Sequence, residues 1–294
     1  MEVAGVNFVI NSRDPITLQD LPAIYKPFHE RPNSGGRQIS IKVTLELHNM
    51  PDTEKMEKTF DTGQSWALFM SKDEYFLALN SSISKEVIWM ARFNQSVENI
   101  TVYCGKTLID GAGGTTRLSN PISYPLDQLL LMYILAKRQG AIIHASGIGM
   151  NNRGYIFPGK SGAGKSTLSR LFICRAGMEM LSDDRVVVRG TDSGFKAFGT
   201  PWTGKAEIAE NKGLPLGGIC FIRQSPGNSI RELTSQEALR RLMPVTSIPW
   251  YDENLMSCVV LFCEDLVSKI PAYELQFRPD IGTVDFIENY FSEK

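Results

Sequence analysis

The fold class is indicated by one stretch, Gly159-Lys160-Ser161-Gly162-Ala163-Gly164-Lys165-Ser166, which matches G-x-x-x-x-G-K-[ST] at every defined position. The apolar run Gly154–Phe157 before it predicts a strand, and residues 165–175 after it predict a helix. A random chain of this length would show the motif about once in a hundred, and the strand-loop-helix context lowers that frequency further. The stretch therefore predicts a phosphate-binding loop in an α/β domain.

The residue types in this loop suit the binding of a triphosphate. Glycines let the backbone curl so that successive N–H groups face one anion, and the N-terminus of the following helix adds positive charge. In such a loop the lysine reaches the β and γ phosphates and the serine ligates Mg²⁺, so ATP and Mg²⁺ are the expected ligands. The predicted nucleotide-binding residues are Gly159, Lys160, Ser161, Gly162, Ala163, Gly164, Lys165, Ser166 and Thr167.

Two adjacent carboxylates, Asp183 and Asp184, follow a short apolar strand at residues 178–181. One carboxylate can orient a metal ion while the other accepts a proton from an attacking hydroxyl. Adjacent residues of a strand point to opposite faces, so both serve one site only if the strand has ended before them. The alternative is a solvated turn that leads into the next strand. Their position behind a phosphate loop favours a catalytic and metal-binding pair.

His144 lies on the strand before the loop strand. A single histidine is more often a hydrogen-bonded structural residue than a catalyst. Neighbouring strands of one sheet can nevertheless bring it close to the phosphates, which makes His144 a candidate catalytic residue beside Lys165.

A second cluster of functional residue types occupies the stretch from Gly199 to Glu210. It combines turn residues, an aromatic ring, a cation and carboxylates. One interpretation is a mobile active-site loop in which Lys205 contacts phosphate and a glutamate, Glu207 or Glu210, contacts Mg²⁺. The other is an ordinary surface loop anchored by a buried Trp202.

The chain is predicted to form two domains, at residues 1–122 and 123–294. The first is β-rich, because Ile39–Leu47 alternates apolar and polar residues and further short apolar runs follow it. Apolar residues at i, i+3, i+4, i+7 and i+8 from Leu126 then predict a helix. The glycine-rich stretch at residues 111–116 helps to mark the boundary. The first domain is expected to recognise substrate, to dimerise or to regulate, and the sequence does not choose among these roles.

Composition excludes several classes of protein. The net charge is −1, which gives no basic excess for nucleic-acid binding. The longest apolar run is far shorter than the roughly 20 residues of a membrane-spanning helix, and the first ten residues do not resemble a signal peptide. The five cysteines show no metal-binding spacing, which is typical of reduced thiols. A cytoplasmic protein without membrane or nucleic-acid partners is expected.

The stretch from Gly140 to Leu242 resembles the bacterial HPr kinase/phosphorylase group, and specifically its wider set of HPr-kinase-like relatives. The resemblance depends on the strand with His144, the phosphate loop and the triplet Asp183-Asp184-Arg185. It implies a phosphoenolpyruvate-carboxykinase-like core with a mixed sheet, giving an α/β domain in a chain that is α+β overall. It also implies roles for single residues: phosphate and Mg²⁺ binding by Lys165 and Ser166, proton acceptance by Asp184, active-site positions for Asp183 and His144, and metal ligation by Glu210.

The chain also departs from the HPr kinases proper. Thr167 stands where those enzymes carry glutamate, and His144 is followed by Ala145 instead of glycine. The resemblance implies an ATP- and Mg²⁺-dependent kinase for a hydroxyl, on a serine of a protein or peptide, as in relatives that phosphorylate lasso-peptide precursors. A kinase for a small metabolite and a non-catalytic nucleotide sensor are the alternatives. Relatives are often oligomers, so a homo-oligomer is expected by analogy.

Overall fold

The computed structural model has a mixed α/β architecture in which parallel and antiparallel strand pairs occur together. It describes residues 1–30, 39–63, 65–110, 116–175 and 178–292. The glycine-rich stretch at the predicted domain boundary lies outside these ranges except for Thr116. Within the described ranges, no helix is both long enough and apolar enough to span a membrane.

The chain divides into two compact units. Three segments form the first unit: Met1, Val6–Pro22 and Gln38–Ile134. Three others form the second unit: Glu2–Gly5, Ala23–Arg37 and Leu135–Lys294. The last boundary between the two units, between Ile134 and Leu135, therefore lies later in the chain than the predicted junction between residues 122 and 123.

Strands dominate the N-terminal part of the chain. In chain order its elements are β1 (Glu2–Val3), β2 (Val6–Ser12), β3 (Ile16–Leu18), a 3₁₀ turn (Ala23–Tyr25), α1 (Lys26–Glu30), β4 (Ile39–Glu46), β5 (Glu57–Asp61), β6 (Trp66–Ser71), β7 (Glu74–Asn80), β8 (Val87–Asn94), β9 (Asn99–Cys104), a 3₁₀ turn (Lys106–Leu108), β10 (Ile109–Asp110), β11 (Thr116–Leu118) and α2 (Leu126–Ala136).

Helix α2 explains why the boundary between the units lies later than predicted. Most of the helix belongs to the first unit. The Tyr133 ring lies with its centroid 5.6 Å from that of Tyr75 on β7 and 5.2 Å from that of Phe93 on β8. Periodicity predicts which face of a helix is apolar, but it does not indicate which partner covers that face.

The strands of the first unit form two sheets. The larger contains the order β2-β4-β9-β8-β7-β6-β5, in which β4 is parallel to both neighbours and the other pairs are antiparallel. The smaller has the order β10-β11-β3. In β4, Ile41, Val43 and Leu45 are fully buried, which confirms the predicted alternation. The consecutive antiparallel pairs from β5 to β9 form a meander.

The second part of the chain alternates strands with helices. Its elements are β12 (Gly140–Met150), β13 (Arg153–Pro158), α3 (Lys165–Ile173), β14 (Glu179–Ser182), β15 (Arg185–Thr191), β16 (Gly194–Phe198), β17 (Gly213–Gln224), β18 (Ser229–Glu232), α4 (Ser235–Leu242), a 3₁₀ turn (Met243–Val245), α5 (Glu253–Lys269), β19 (Ala272–Phe277) and α6 (Gly282–Ser292).

The sheet of the second unit is mixed, and five of its pairings form a closed ring. β12 pairs antiparallel with β15 through its first half and with β13 through its second half. β15 pairs antiparallel with β16, and β16 with β17, which runs parallel to β13. β19 lies parallel to β17 on its outer side, while β14 and β18 are antiparallel to β12 and β19. The C-terminal ends of β13, β17 and β19 therefore lie at one edge.

The core of the second unit attaches α3 to the strand that precedes it. Leu168 and Phe172 lie one helical turn apart on α3, and both are fully buried. The Phe172 ring centroid is 5.8 Å from that of Phe157 on β13, and Ile287 of α6 belongs to the same cluster. Burial stabilises each such side chain by about 1.5–3 kcal/mol. This packing fixes the helix N-terminus next to the end of β13.

Candidate active site

Residues 159–164 form the connection between β13 and α3, as the sequence predicts. Gly162 and Gly164 have φ values of 85° and 105°, in the left-handed region that glycine adopts without strain. A Cβ atom at Gly164 would also lie 2.9 Å from Gln224 Nε2 and 2.9 Å from Phe277 Cζ. Glycine at position 164 is therefore required by both its backbone conformation and its neighbours.

Lys165, the first residue of α3, folds back over the loop. Its Nζ donates a hydrogen bond of 2.7 Å to the carbonyl oxygen of Gly159 and one of 3.5 Å to that of Lys160. The residue is only 7% exposed. Burial lowers the pKa of Lys165, and the Asp184 carboxylate opposes that shift. The ammonium group is thus held at the loop by two backbone carbonyl oxygens.

The remaining predicted loop residues differ in exposure. Ser161 and Gly162 are exposed at the tip, whereas Ser166 and Thr167 are half-buried in the first turn of α3. Within the described part of the chain, the Ser166 hydroxyl makes no hydrogen bond to a protein group. The hydroxyl at the start of the helix therefore keeps its oxygen available as a ligand.

His144 and Asp184 form a hydrogen-bonded pair next to the loop. The Nε2–H of His144 donates to Oδ1 of Asp184 over 2.9 Å. The N–H of Ala145 donates to the Asp184 carbonyl oxygen at 3.0 Å, and the N–H of Gly159 donates to the His144 carbonyl oxygen at 3.3 Å. Strand β12 therefore connects the Asp184 segment on one side with the first residue of the phosphate loop on the other.

The surroundings of Asp184 favour its ionised form. The hydrogen bond from His144 lowers the pKa of this carboxyl group, partial burial opposes the change, and the charges of Arg185 and Lys165 lower it further. The Arg185 Nε atom lies 3.7 Å from Oδ2 of Asp184. The Asp184 side chain remains 28% exposed. A charged and accessible carboxylate can accept a proton from an incoming group.

The Asp183 carboxylate bonds to backbone N–H groups, whereas that of Asp184 bonds to a side chain. Asp183 is 1% exposed, its Oδ1 accepts the N–H of Gly204 at 2.9 Å, and its Oδ2 accepts the N–H of Ala206 at 2.7 Å. Strand β14 ends at Ser182, so the chain bends at the two aspartates and their carboxylates reach different partners. Asp183 thus anchors the loop through both of its carboxylate oxygens. Its predicted metal-ligating and catalytic roles stay predictions, because each oxygen keeps a second lone pair for a further partner.

The Gly199–Glu210 stretch has features of both interpretations. Thr200 is fully buried and its hydroxyl donates to the Arg185 carbonyl oxygen at 2.6 Å, while Trp202 is buried at 5% exposure. Lys205 and Glu207 are exposed and form no ion pair with the residues that the structure describes. The loop is thus anchored as the surface interpretation expects, but its anchor, Asp183, directly precedes Asp184.

Glu210 is held through its backbone at the end of the same stretch. Its N–H donates to the Leu181 carbonyl oxygen at 3.1 Å, which fixes its backbone beside β14, but its side chain is exposed. Across the described ranges, no group of three histidine, cysteine, aspartate or glutamate residues is arranged to hold a metal ion. The predicted set of Ser166, Asp183 and Glu210, in which one ligand is a hydroxyl, stays a prediction.

A buried pair of hydroxyl groups, which the sequence pattern does not indicate, supports the site. The hydroxyl oxygens of Ser146 on β12 and Ser169 on α3 are 2.9 Å apart, and Ser146 donates to the Asp183 carbonyl oxygen at 3.2 Å. Both serines are fully buried. They connect the helix of the phosphate loop with the bend at the aspartates. Serine is too common a residue for its sequence position to indicate this contact.

No protein-family model matches the chain, and no curated protein matches its sequence. The resemblance to HPr-kinase-like proteins therefore stays a prediction from the loop, His144 and the Asp183-Asp184-Arg185 triplet. The features of the chain that bear on its function are the phosphate loop and the His144–Asp184 pair.

Proposed function

We propose that this chain is a kinase that transfers the γ-phosphoryl group of ATP to a hydroxyl, namely a serine of a protein or peptide. The observation that carries the proposal is the His144–Asp184 pair, which β12 connects to the first residue of the phosphate loop. A phosphate cradle and an ionised carboxylate beside it are the two parts that transfer to a hydroxyl requires. We propose with it a phosphoenolpyruvate-carboxykinase-like core of the HPr-kinase-like type.

The phosphate loop would hold the triphosphate. Its glycines allow loop N–H groups that are not bonded to protein carbonyls to face the anion, and α3 adds the positive end of its dipole. Lys165 would exchange its hydrogen bond to Gly159 for one to a phosphate oxygen and offset charge as the phosphoryl group departs. The buried position of its amine strengthens this interaction, because water screens it less.

Asp184 would accept the proton of the acceptor hydroxyl. As the hydroxyl oxygen bonds to the γ-phosphorus, the bond from that phosphorus to the bridging oxygen breaks and ADP leaves with the electron pair. The hydroxyl proton moves to Asp184 and then to solvent, so the products are a phosphoester and ADP. His144 orients the carboxylate by its hydrogen bond to Oδ1 and leaves the second oxygen for the acceptor.

The residues present fit an Mg²⁺ ion that binds together with the nucleotide. Magnesium in such sites keeps several waters and takes one or two protein ligands plus substrate phosphates. Ser166, whose hydroxyl has no protein partner among the described residues, is the protein ligand that this donor set requires. When bound, Mg²⁺ offsets negative charge on the phosphates. Glu210, whose side chain is exposed, is proposed as a further ligand.

The exposure of the site supports a macromolecular acceptor. His144, Asp184 and Arg185 retain 27%, 28% and 29% side-chain exposure, so a serine on a polypeptide can approach them. Lys205 and Glu207 are exposed on the adjacent loop and would contact residues that flank the serine. A small-metabolite kinase or a non-catalytic nucleotide sensor would use the same phosphate loop.

The proposal is tested with ATP labelled in its γ-phosphate, supplied with Mg²⁺ and with either peptide pools or free serine and other small alcohols. We expect label on peptides, and its loss in Lys165→Met. Lys137→Met removes an exposed lysine of the same unit and serves as the matched control.

The outcome separates the three possibilities. Label on small alcohols alone would assign a metabolite kinase, and tight ATP binding without transfer to any acceptor would assign a sensor. Transfer by Lys165→Met at the rate of the parent protein would contradict the proposed role of the loop.

We also propose that the enzyme acts in a reducing cytoplasm. The five cysteines are free thiols. Burial raises the pKa of Cys104 to about 12 and that of Cys263 to about 11, so these thiols stay protonated at neutral pH and react slowly with oxidants. A homo-oligomer remains an expectation from the family resemblance.

A further inference from the structure

An open cleft lies against the phosphate loop on the side of β17 and β19. Its wall includes Ala163 of the loop, residues 221–224 at the end of β17, and Arg241 and Glu274 from α4 and β19. Its volume of about 600 Å³ lies within the roughly 300–1,000 Å³ that small-molecule sites occupy. The cleft is therefore large enough for a nucleoside.

The strand order puts this cleft and the His144–Asp184 pair on opposite flanks of the phosphate loop. β13, which leads into the loop, pairs with β12 on one side and with β17 on the other. His144 lies on β12, whereas β17 and its outer neighbour β19 line the cleft. A nucleotide whose γ-phosphate lies near Asp184 must therefore extend away from β12, and the cleft is in that direction.

The lining of the cleft combines an apolar wall with a few polar groups. Ile222 is 8% exposed and contributes apolar surface. Gln224 reaches back over the loop, since its Nε2 lies 2.9 Å from the position of a Cβ atom at Gly164. The Arg241 guanidinium forms an ion pair with Glu274, which fixes its orientation. Apolar surface with a small number of oriented polar groups is typical of ligand sites.

We propose that this cleft is the nucleoside subsite of the enzyme, with Arg241 and Gln224 as the groups that bind the base and ribose. The inference rests on the proposed function, because the phosphate loop must hold the other end of the same ligand. A guanidinium plane stacks on an aromatic ring, and the side-chain amide of Gln224 both donates and accepts hydrogen bonds. Glu274 acts on the nucleoside only through Arg241 and is a positioning residue.

The test compares two ligands that share their phosphates. One is an ATP analogue with an imido group between the β and γ phosphates, and the other is inorganic tripolyphosphate, both with Mg²⁺ and measured by titration calorimetry. We expect the parent protein to bind the analogue at least about tenfold more tightly than tripolyphosphate, because only the analogue reaches the cleft.

Two variants test whether the difference in affinity between the two ligands arises from the cleft. Arg241→Gln should weaken binding of the analogue about tenfold or more, and Gln224→Ala about two- to tenfold, while neither changes the affinity for tripolyphosphate. Arg240→Gln removes the same charge from the neighbouring exposed position of α4 and should leave both affinities unchanged. Gln224 is exposed, so its replacement keeps the test valid if Arg241→Gln fails to fold.

Equal affinity of the parent protein for the two ligands would overturn the inference and leave the phosphate loop as a binding site. Equal weakening of both ligands in Gln224→Ala would also overturn it, because the side chain would then act on the phosphates. Binding of neither ligand by the parent would overturn the proposed function itself.

Discussion

Two adjacent carboxylates, Asp183 and Asp184, lie in surroundings of opposite character. Asp183 is buried, and its oxygens bind the backbone N–H groups of Gly204 and Ala206. Asp184 is partly exposed and is paired with the side chain of His144. A carboxylate whose oxygens are occupied by backbone donors positions a loop, whereas one with an accessible oxygen can accept a proton. The same residue type is thus suited to different tasks at neighbouring positions.

The largest expected effect is on catalysis and comes from Asp184→Asn. An amide cannot accept the acceptor proton, so phosphoryl transfer should fall about 10²–10⁴-fold while the fold is kept. Initial rates with labelled ATP measure this. Asp192→Asn, at an exposed hairpin position of the same unit, is the control. Transfer by Asp184→Asn at the control rate would remove Asp184 from the role of base.

Asp183→Asn should affect stability instead. The NH₂ group of the asparagine side chain would face a loop N–H group, so one buried hydrogen-bond acceptor is lost. The free energy of unfolding should therefore fall by about 1.5–3 kcal/mol. Urea unfolding measures this, and hydrogen exchange should show lower protection of the Gly204 and Ala206 amides. Unchanged protection at both amides would show that Asp183 does not anchor the loop.

A smaller loss of stability is expected for Gly204→Ala. The added Cβ would lie 2.9 Å from Oδ2 of Asp183, so the loop must shift, at a cost of about 1–3 kcal/mol. Gly227→Ala is the matched control, because a Cβ there meets nothing within 4 Å. Equal unfolding midpoints for the two variants would contradict the close packing of the loop on Asp183.

The smallest expected effect is a change in pH dependence in His144→Ala. The hydrogen bond from His144 lowers the pKa of Asp184, so its removal raises that pKa toward the ordinary range. Activity requires the carboxylate, and the acid limb of kcat/KM should therefore move to higher pH. His48→Ala, at an exposed histidine, should leave the limb in place. If the acid limb of kcat/KM does not move in His144→Ala, His144 does not influence the ionisation of Asp184.

The lowered pKa of Asp184 also affects the stability of the native state at acidic pH. Because folding lowers the pKa of Asp184, its ionised form stabilises the native state above the ordinary value of about 3.9. That stabilisation is lost as the pH falls through the lowered folded-state pKa. In His144→Ala the difference between the folded and unfolded pKa shrinks, so the loss of stability caused by acid should become smaller.

Local features of the second unit could be predicted from the sequence. The strand Gly154–Phe157, the glycines of the loop and the helix from Lys165 follow from short-range sterics and periodicity, and the structure contains all three. Thr234 and Glu237 likewise have the spacing of a capping box, and they form one at the start of α4. Such features depend on residues only a few positions apart, so a short stretch of sequence is enough to predict them.

The sequence by itself therefore determined the phosphate loop, the strand and helix around it and the candidate residues His144 and Asp184. Only the tertiary structure decided that Asp183 binds the loop at Gly204 while Asp184 turns to His144. Only it showed the cleft on the opposite flank of the loop. The physical reason is that strand pairing and packing determine which residues far apart in sequence form hydrogen bonds. The local sequence pattern does not predict these long-range contacts.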